Sequence, residues 1–344
     1  MSSNNSTSPF LMDAIKSTGR FATESCLAAV AITCNLFALI AAKNARGRHG
    51  AYHMLFMNLA IANSLSCVLL LTCNHNVSNY QLEKVLGDQC RIIVFVSSLA
   101  IFSSSFTLVA AATLLGFSVI QYLAVAQPLH HQNLVRRSRV CTFIACSWLI
   151  TLIGSLAPVF VLVDLVYNSQ CQYLEVVRTS SKVIRISANA NAGVLAAIYA
   201  SIIVLCCTVY SVIKRLQKRL SHFRRDQQAE DVSGERKAFH TIILLVGSLT
   251  VCFLPFTIVY LLTLNVDNSG SLTENTAIVY FMNFLPYVKF TLDPFIYGMR
   301  MKEVKESCER MLLLCGLHKF CPCCIRPTTV AIPLQTTVLC TTAL

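Results

Sequence analysis

The sequence predicts an all-α membrane protein: a seven-transmembrane helix bundle with a short amphipathic membrane-surface helix after the last span. Three observations carry this. Only 13% of the 344 residues are charged and 55% are hydrophobic, with a mean hydropathy of +0.61, whereas soluble domains carry about 25% charged residues. Seven stretches approach or exceed the roughly 20 apolar residues that a bilayer core requires. Lys and Arg also alternate between the loops, dense on one side and sparse on the other, as orientation in a membrane demands.

The spans, taken in order, are Glu24–Ala42, His53–Cys73, Arg91–Tyr122, Val140–Val163, Ile186–Ile213, Phe239–Leu264 and Thr276–Met299. They divide the chain into an N-terminal segment (1–23), the bundle (24–299), an amphipathic helix (300–315) and a tail (316–344). The polar N-terminus lacks a basic-then-apolar start, so the first span is expected to act as signal-anchor. Basic residues crowd the loops after spans one, three and five (Lys43, Arg46 and Arg48; Arg136, Arg137 and Arg139; Lys214 through Lys237) and the tail. The N-terminus is therefore expected outside and the tail inside. The net charge of +12 reflects this orientation. Zinc spacing and basic–aromatic sheet patterns are missing from the sequence, so it gives no sign of nucleic-acid binding.

Three sequons, at Asn4, Asn5 and Asn76, fall on the expected outer side. Of the 17 cysteines, Cys34, Cys67, Cys141, Cys146, Cys206, Cys207 and Cys252 lie within spans as small apolar packers. Cys73, Cys90 and Cys171 lie near the outer surface, where disulfides persist. Cys90–Cys171 is the favoured bridge and Cys73–Cys171 the alternative. Cys321, Cys323 and Cys324 follow the amphipathic helix and suit palmitoylation; Cys-Pro-Cys-Cys has no second half at zinc spacing. Met301, Val304, Cys308, Met311, Leu312 and Cys315 recur at helical spacing beside basic residues, a pattern for a membrane surface. Thr342-Ala343-Leu344 has the form of a PDZ ligand, which binds by strand addition.

Several short motifs occur in the order of the spans. Asn35 lies in span one, Asn58-Leu59-Ala60-Ile61-Ala62-Asn63 in span two, Trp148 with Pro158 in span four, Tyr210 in span five, Cys252-Phe253-Leu254-Pro255 in span six and Asp293-Pro294-Phe295-Ile296-Tyr297 in span seven. Tyr122 precedes Leu-Ala-Val-Ala-Gln-Pro128-Leu-His. Together these resemble the rhodopsin-like (class A) G-protein-coupled receptors. The resemblance covers about residues 24–315. It implies a receptor for an extracellular ligand, signalling by movement of the sixth helix about Pro255, and a heterotrimeric G protein and/or arrestin as partners. The spans carry no nucleophile–base constellation or metal spacing, so no enzymatic activity and no cofactor or metal is expected.

Two departures stand out. The Asp-Arg pair before the family's Tyr is Ile120-Gln121 here. In the family the Arg bonds an acid at the foot of span six; Glu235, twenty residues before Pro255, occupies that place. Gln121 can offer it only a neutral hydrogen bond, roughly half as strong as a charge-assisted one. The family also often holds sodium beside a span-two Asp, which is Asn63 here. Lys289 lies four residues before Asp293, on the same helix face, and is expected to supply the missing cation. An opsin is disfavoured. The family's retinal lysine precedes the motif proline by seven residues, where this chain has Tyr287, and Lys289 is rotated from there by roughly 200°.

Span three has no Asp, so the family's counterion for amines is missing. Arg178, Lys182 and Arg185 near the mouth of span five make a basic entrance above an apolar bundle, which suits an anionic lipid or a short acidic peptide. The competing reading, favoured by Ile120-Gln121, is a non-signalling or atypically coupled seven-helix receptor acting as a binding partner or scaffold. A transporter would show internal repeats and broken helix pairs, and the sequence shows neither.

Overall fold

In a computed structural model of the chain, residues 9–45, 50–83, 89–127, 133–168, 173–221, 247, 249–265, 276–298 and 301–314 are described. They form α1 (Pro9–Lys43), α2 (Ala51–Glu83), α3 (Gln89–Ala126), α4 (Arg137–Asn168) and α5 (Tyr173–Ser221). A π-helical turn (Leu249–Phe253) leads into α6 (Leu254–Asn265), followed by α7 (Thr276–Gly298) and α8 (Lys302–Leu314). Glu235, Cys171, Asn4, Asn5, Cys321, Cys323, Cys324 and the terminal Thr342-Ala343-Leu344 lie outside the described residues.

Among the described residues, five helices are long and apolar enough to cross a membrane, and these are α1 to α5. Several run past the ends that hydropathy sets. α1 starts at Pro9, well before Glu24, and α5 starts at Tyr173, before Ile186. The physical reason is that a helix does not stop where hydrocarbon stops. Polar residues of good helix propensity carry it into water, so hydropathy marks the buried length only.

α3 packs against α2, α4 and α5 and forms the centre of the bundle. The main core lies toward the end that carries α8. Leu55, Phe56 and Leu59 of α2 meet Val109, Leu114 and Phe117 of α3, with Val304 of α8 closing the end. Ala28, Ala31, Ala38, Ala41 and Ala42 are all buried along α1. Small side chains let membrane helices approach closely, which substitutes for the hydrophobic drive that lipid removes. Gly116 serves the same purpose: a Cβ there would stand 2.9 Å from Cε1 of Phe143, so α4 reaches α3 only because no side chain intervenes.

Outward faces are apolar. Ile150, Ile153 and Phe160 on α4 and Val204 on α5 are largely exposed. A water-soluble protein would not tolerate such a band; in a bilayer it is the lipid-facing surface.

Pro255 sits inside the α6 region, half-buried. Its ring nitrogen cannot bond the carbonyl of Val251, and the chain accommodates the loss with the π-helical turn just before it. The hydroxyls of Thr250 in that turn and Tyr199 of α5 are hydrogen-bonded, so the weakened stretch is tied to its neighbour.

α8 packs on α1. Of the expected apolar stripe, Met301, Val304, Cys308 and Met311 lie on the bundle core rather than on an outer face, Cys315 lies outside the described residues, and Leu313 is exposed. Burial, with Glu309 adding to it, pushes the Cys308 thiol up to about 11. Its thiolate fraction near pH 8 is then roughly two orders of magnitude below that of a free thiol. Maleimide should therefore label Cys308 far more slowly than an exposed thiol, and the rate should climb as pH rises toward 11. Mass spectrometry of a timed labelling series measures it.

Candidate functional site

Two polar centres lie inside the bundle, one beneath a cavity and one beside it. The deeper one is an ion pair. Nζ of Lys289 donates to Oδ2 of Asp293 at 2.7 Å, and the two side chains are 1% and 0% exposed. Nδ2 of Asn63 on α2 donates to the same oxygen at 2.9 Å. The i, i+4 spacing on α7 puts amine and carboxylate on one face, and the bundle leaves neither an escape to water. The Lys289 ammonium also stands 5.4 Å from the ring centre of Phe290, within cation–π range.

This centre is anchored to α1. Nδ2 of Asn35 donates both to the carbonyl of Ala31 and, across the interface, to that of Phe290, each at 2.8 Å. That second bond takes up a carbonyl of the Lys289–Asp293 turn of α7, directly before Pro294, where the helix ladder is interrupted. The sequence reading of Lys289 as the partner of Asp293 matches the geometry, and Asn63 joins them.

A second polar lock ties three helices. Nδ2 of Asn58 on α2 donates to Oγ1 of Thr113 on α3, and Nε1 of Trp148 on α4 donates to Oδ1 of Asn58, both at 2.8 Å. Phe106 meets the Trp148 ring edge-on, 5.3 Å between centroids.

The cavity, of about 170 Å³, opens among α2, α3, α5, α6 and α7. Thr257 and Leu261 of α6, Pro286 and Phe290 of α7, and Ser104 of α3 are in its wall. Phe290 is thus shared between cavity and ion pair. Among the described residues of the wall there is no carboxylate or ammonium. At its edge, Nδ2 of Asn74 donates to Oε2 of Glu24 at 3.0 Å and approaches the Tyr287 hydroxyl at 3.5 Å. Glu24 is only 2% exposed. The sequence reading set Glu24 at the border of span one and so missed it. The signal was an acid inside a helical run, which a membrane tolerates only with a partner. Asn191, which bonds Ser104 across α5 and α3 at 2.8 Å, was missed for a similar reason: one amide in an apolar run has no motif around it.

The family model for "7 transmembrane receptor (rhodopsin family)" matches residues 34–297. The chain belongs to that family. The receptor is 24% identical to the histamine H2 receptor of Canis lupus familiaris over 219 residues, 61% of this chain and 58% of that one. It is 23% identical to human olfactory receptor 4Q2 over 250 residues, 68% and 69% of the two chains. It is 24% identical to the neuropeptides B/W receptor type 2 of Bos taurus over 263 residues, 74% and 73%. The match to the histamine receptor thus spans less than two thirds of that relative's length. These relatives are receptors and not enzymes, and the chain is a multi-pass membrane protein of the same kind.

Other expected positions of the receptor are placed as follows. Gln121 is 2% exposed at the far end of α3 and Tyr122 is half-buried beside it. Tyr210 is half-exposed on α5. Phe253 ends the π-helical turn, Tyr297 lies in α7 and Asn76 in α2. Cys90 is buried in the first turn of α3 and disulfide-bonded, whereas Cys73 is free. Cys171, the expected partner, lies outside the described residues. α3 runs outward far enough to carry Cys90 in its first turn. Arg178 and Lys182 are exposed and Arg185 half-buried, all on one face of α5 ahead of Ala188, which lines the cavity. Three expected roles converge on one place (Asn63, Lys289 and Asp293), and Gln121 lies apart from it.

Proposed function

We propose that this receptor binds an extracellular ligand, lipid or peptide rather than amine, in the α2–α3–α5–α6–α7 cavity. Occupancy moves α6 about Pro255, and a heterotrimeric G protein and/or arrestin reads the movement at the other end. The observation that carries this is the position of Thr257 and Leu261: both line the cavity, and both follow Pro255 by less than two helical turns. A ligand pressing there acts on the weakest stretch of that helix. Arg178, Lys182 and Arg185 form the ligand entrance, offering charge to an anionic headgroup or acidic side chain. The orientation is N-terminus outside, with glycans at Asn4, Asn5 or Asn76, a Cys90–Cys171 bridge, palmitoyl groups at Cys321, Cys323 or Cys324 that bring the tail to membrane lipids, and a PDZ protein on Thr342–Leu344.

The decisive experiment is a transducer panel comparing wild type with Gln121→Arg. Coupling in wild type, raised severalfold in the basal state by Gln121→Arg, supports the reading. Silence in both, across all transducer classes, overturns it in favour of the binding partner or scaffold, which Gln121 and Ile120 at the end of α3 otherwise favour.

Within this reading Lys289 is the built-in counterion. Thermal stability of the wild type should then be indifferent to replacing sodium by an organic cation. Lys289→Asn, which leaves Asp293 and Asn63 in place, should gain stability with millimolar sodium. Sodium-dependent melting of the wild type would rule the counterion role out.

A further inference from the structure

On the α3 and α5 side of the cavity, the hydroxyls have committed their protons. Nδ2 of Asn191 donates to Oγ of Ser104, and Ser104 in turn donates to the carbonyl of Ile101 at 2.9 Å. Thr107 donates to the carbonyl of Ser103 at 3.0 Å, and Ser103 donates to the carbonyl of Ser66 at 3.4 Å. Each hydroxyl has one proton and two lone pairs. Once the proton is held by the backbone, what the group retains is acceptor capacity. Asn191 keeps its carbonyl oxygen and one of its two amide N–H donors after the other is engaged by Ser104. These residues share the wall with Leu70, Ala100, Leu108, Leu195 and Phe290, and among the described lining residues none is charged.

An anion brought here would lose water and find few donors. An ammonium would lose water and find no carboxylate among the described lining residues, the Glu24 carboxylate at the edge being held by Asn74. A neutral hydroxyl or N–H finds what it needs, a set of fixed acceptors in apolar surroundings where hydrogen bonds count most. We propose that the buried end of the ligand is an uncharged hydrogen-bond donor on an apolar skeleton of one-ring size, of the class of neutral alcohols. The size follows from volume, since an apolar cavity of about 150 Å³ accepts benzene. This inference rests on the reading of the cavity as the ligand site. It places any anionic part of the ligand outside, at the α5 basic face.

The test uses the full-length receptor in lipid nanodiscs with four probes of one skeleton: benzyl alcohol, benzyl methyl ether, benzoate and benzylammonium. Each is titrated against melting temperature and compared with Ala192→Phe, which fills the cavity, so that effects on the lipid cancel. Ala100→Leu replaces Ala192→Phe if the latter does not fold. The alcohol should stabilise the wild type above the filled variant, with the ether, benzoate and benzylammonium failing to do so. Ser104→Ala combined with Asn191→Leu should weaken the alcohol about fivefold to tenfold, the value of one or two lost hydrogen bonds. Equal or tighter binding of benzoate or benzylammonium overturns the proposal, as does an alcohol shift no larger than in the filled variant. Since no transducer enters the measurement, a silent coupling panel and a failed binding series are separate results.

Discussion

Lys289→Met should strip the receptor of most of its folded population. The substitution removes the ammonium 2.7 Å from Asp293 and leaves a carboxylate with 0% exposure. Asn63 can still donate to Oδ2, but one neutral amide does not offset the cost of a buried charge. Breaking a buried pair by removing one partner costs about 3–5 kcal/mol, because the survivor is stranded. The same reasoning gives the reversal. Lys289→Met with Asp293→Asn removes both charges, and replacement of a pair by neutral groups is often near neutral. The expected outcome is a large drop in melting temperature and surface expression for the single variant and recovery of most of both in the double variant. A double variant no better than the single one would mean that the pair stabilises through something other than charge matching. The single Asp293→Asn variant should be damaged too, since Lys289 would keep an unmatched charge beside Phe290.

Asn58→Leu should be the next most damaging change, at about 2–3 kcal/mol. Leucine matches asparagine roughly in size but offers neither of the two bonds that link α2 to α3 and α4. Thr113 keeps its own proton on the carbonyl of Val109, so it loses only an acceptor role. Trp148 loses its indole N–H partner outright, and a buried donor left unmade costs about 1–3 kcal/mol. Trp148→Phe in the Asn58→Leu background should therefore recover part of the loss, because the orphaned donor is removed with its partner. A thermal melt of the two variants side by side decides the point.

Much of the bundle was readable because its logic is linear. Apolar length gives the spans and Lys/Arg alternation gives the loops, and both are written in consecutive residues. The Lys289–Asp293 pair was readable for the same reason: four residues apart on a helix is a contact without any tertiary knowledge. What resisted reading depends on which faces meet. Asn191 reaches Ser104 across 87 positions and Asn74 reaches Glu24 across 50; no local pattern announces either. α8 shows the limit from the other side. Its stripe of Met301, Val304, Cys308 and Met311 was legible, but an apolar stripe fits lipid and protein equally well, and only the packing on α1 and α7 shows what the stripe meets. The start of α5 was misjudged because hydropathy measures where the membrane ends and says nothing of the helix beyond it.

That length has a mechanical side. With 49 residues at 1.5 Å each, α5 is about 74 Å long, more than twice a hydrocarbon core of about 30 Å. It carries no internal proline to absorb bending. A pivot near its middle leaves arms of about 35 Å, so a tilt of about 5° shifts each tip by about 3 Å. A rearrangement too small to notice at Asn191 would arrive at Ser221 as a displacement the size of a hydrogen bond, and the uninterrupted rod acts as its amplifier.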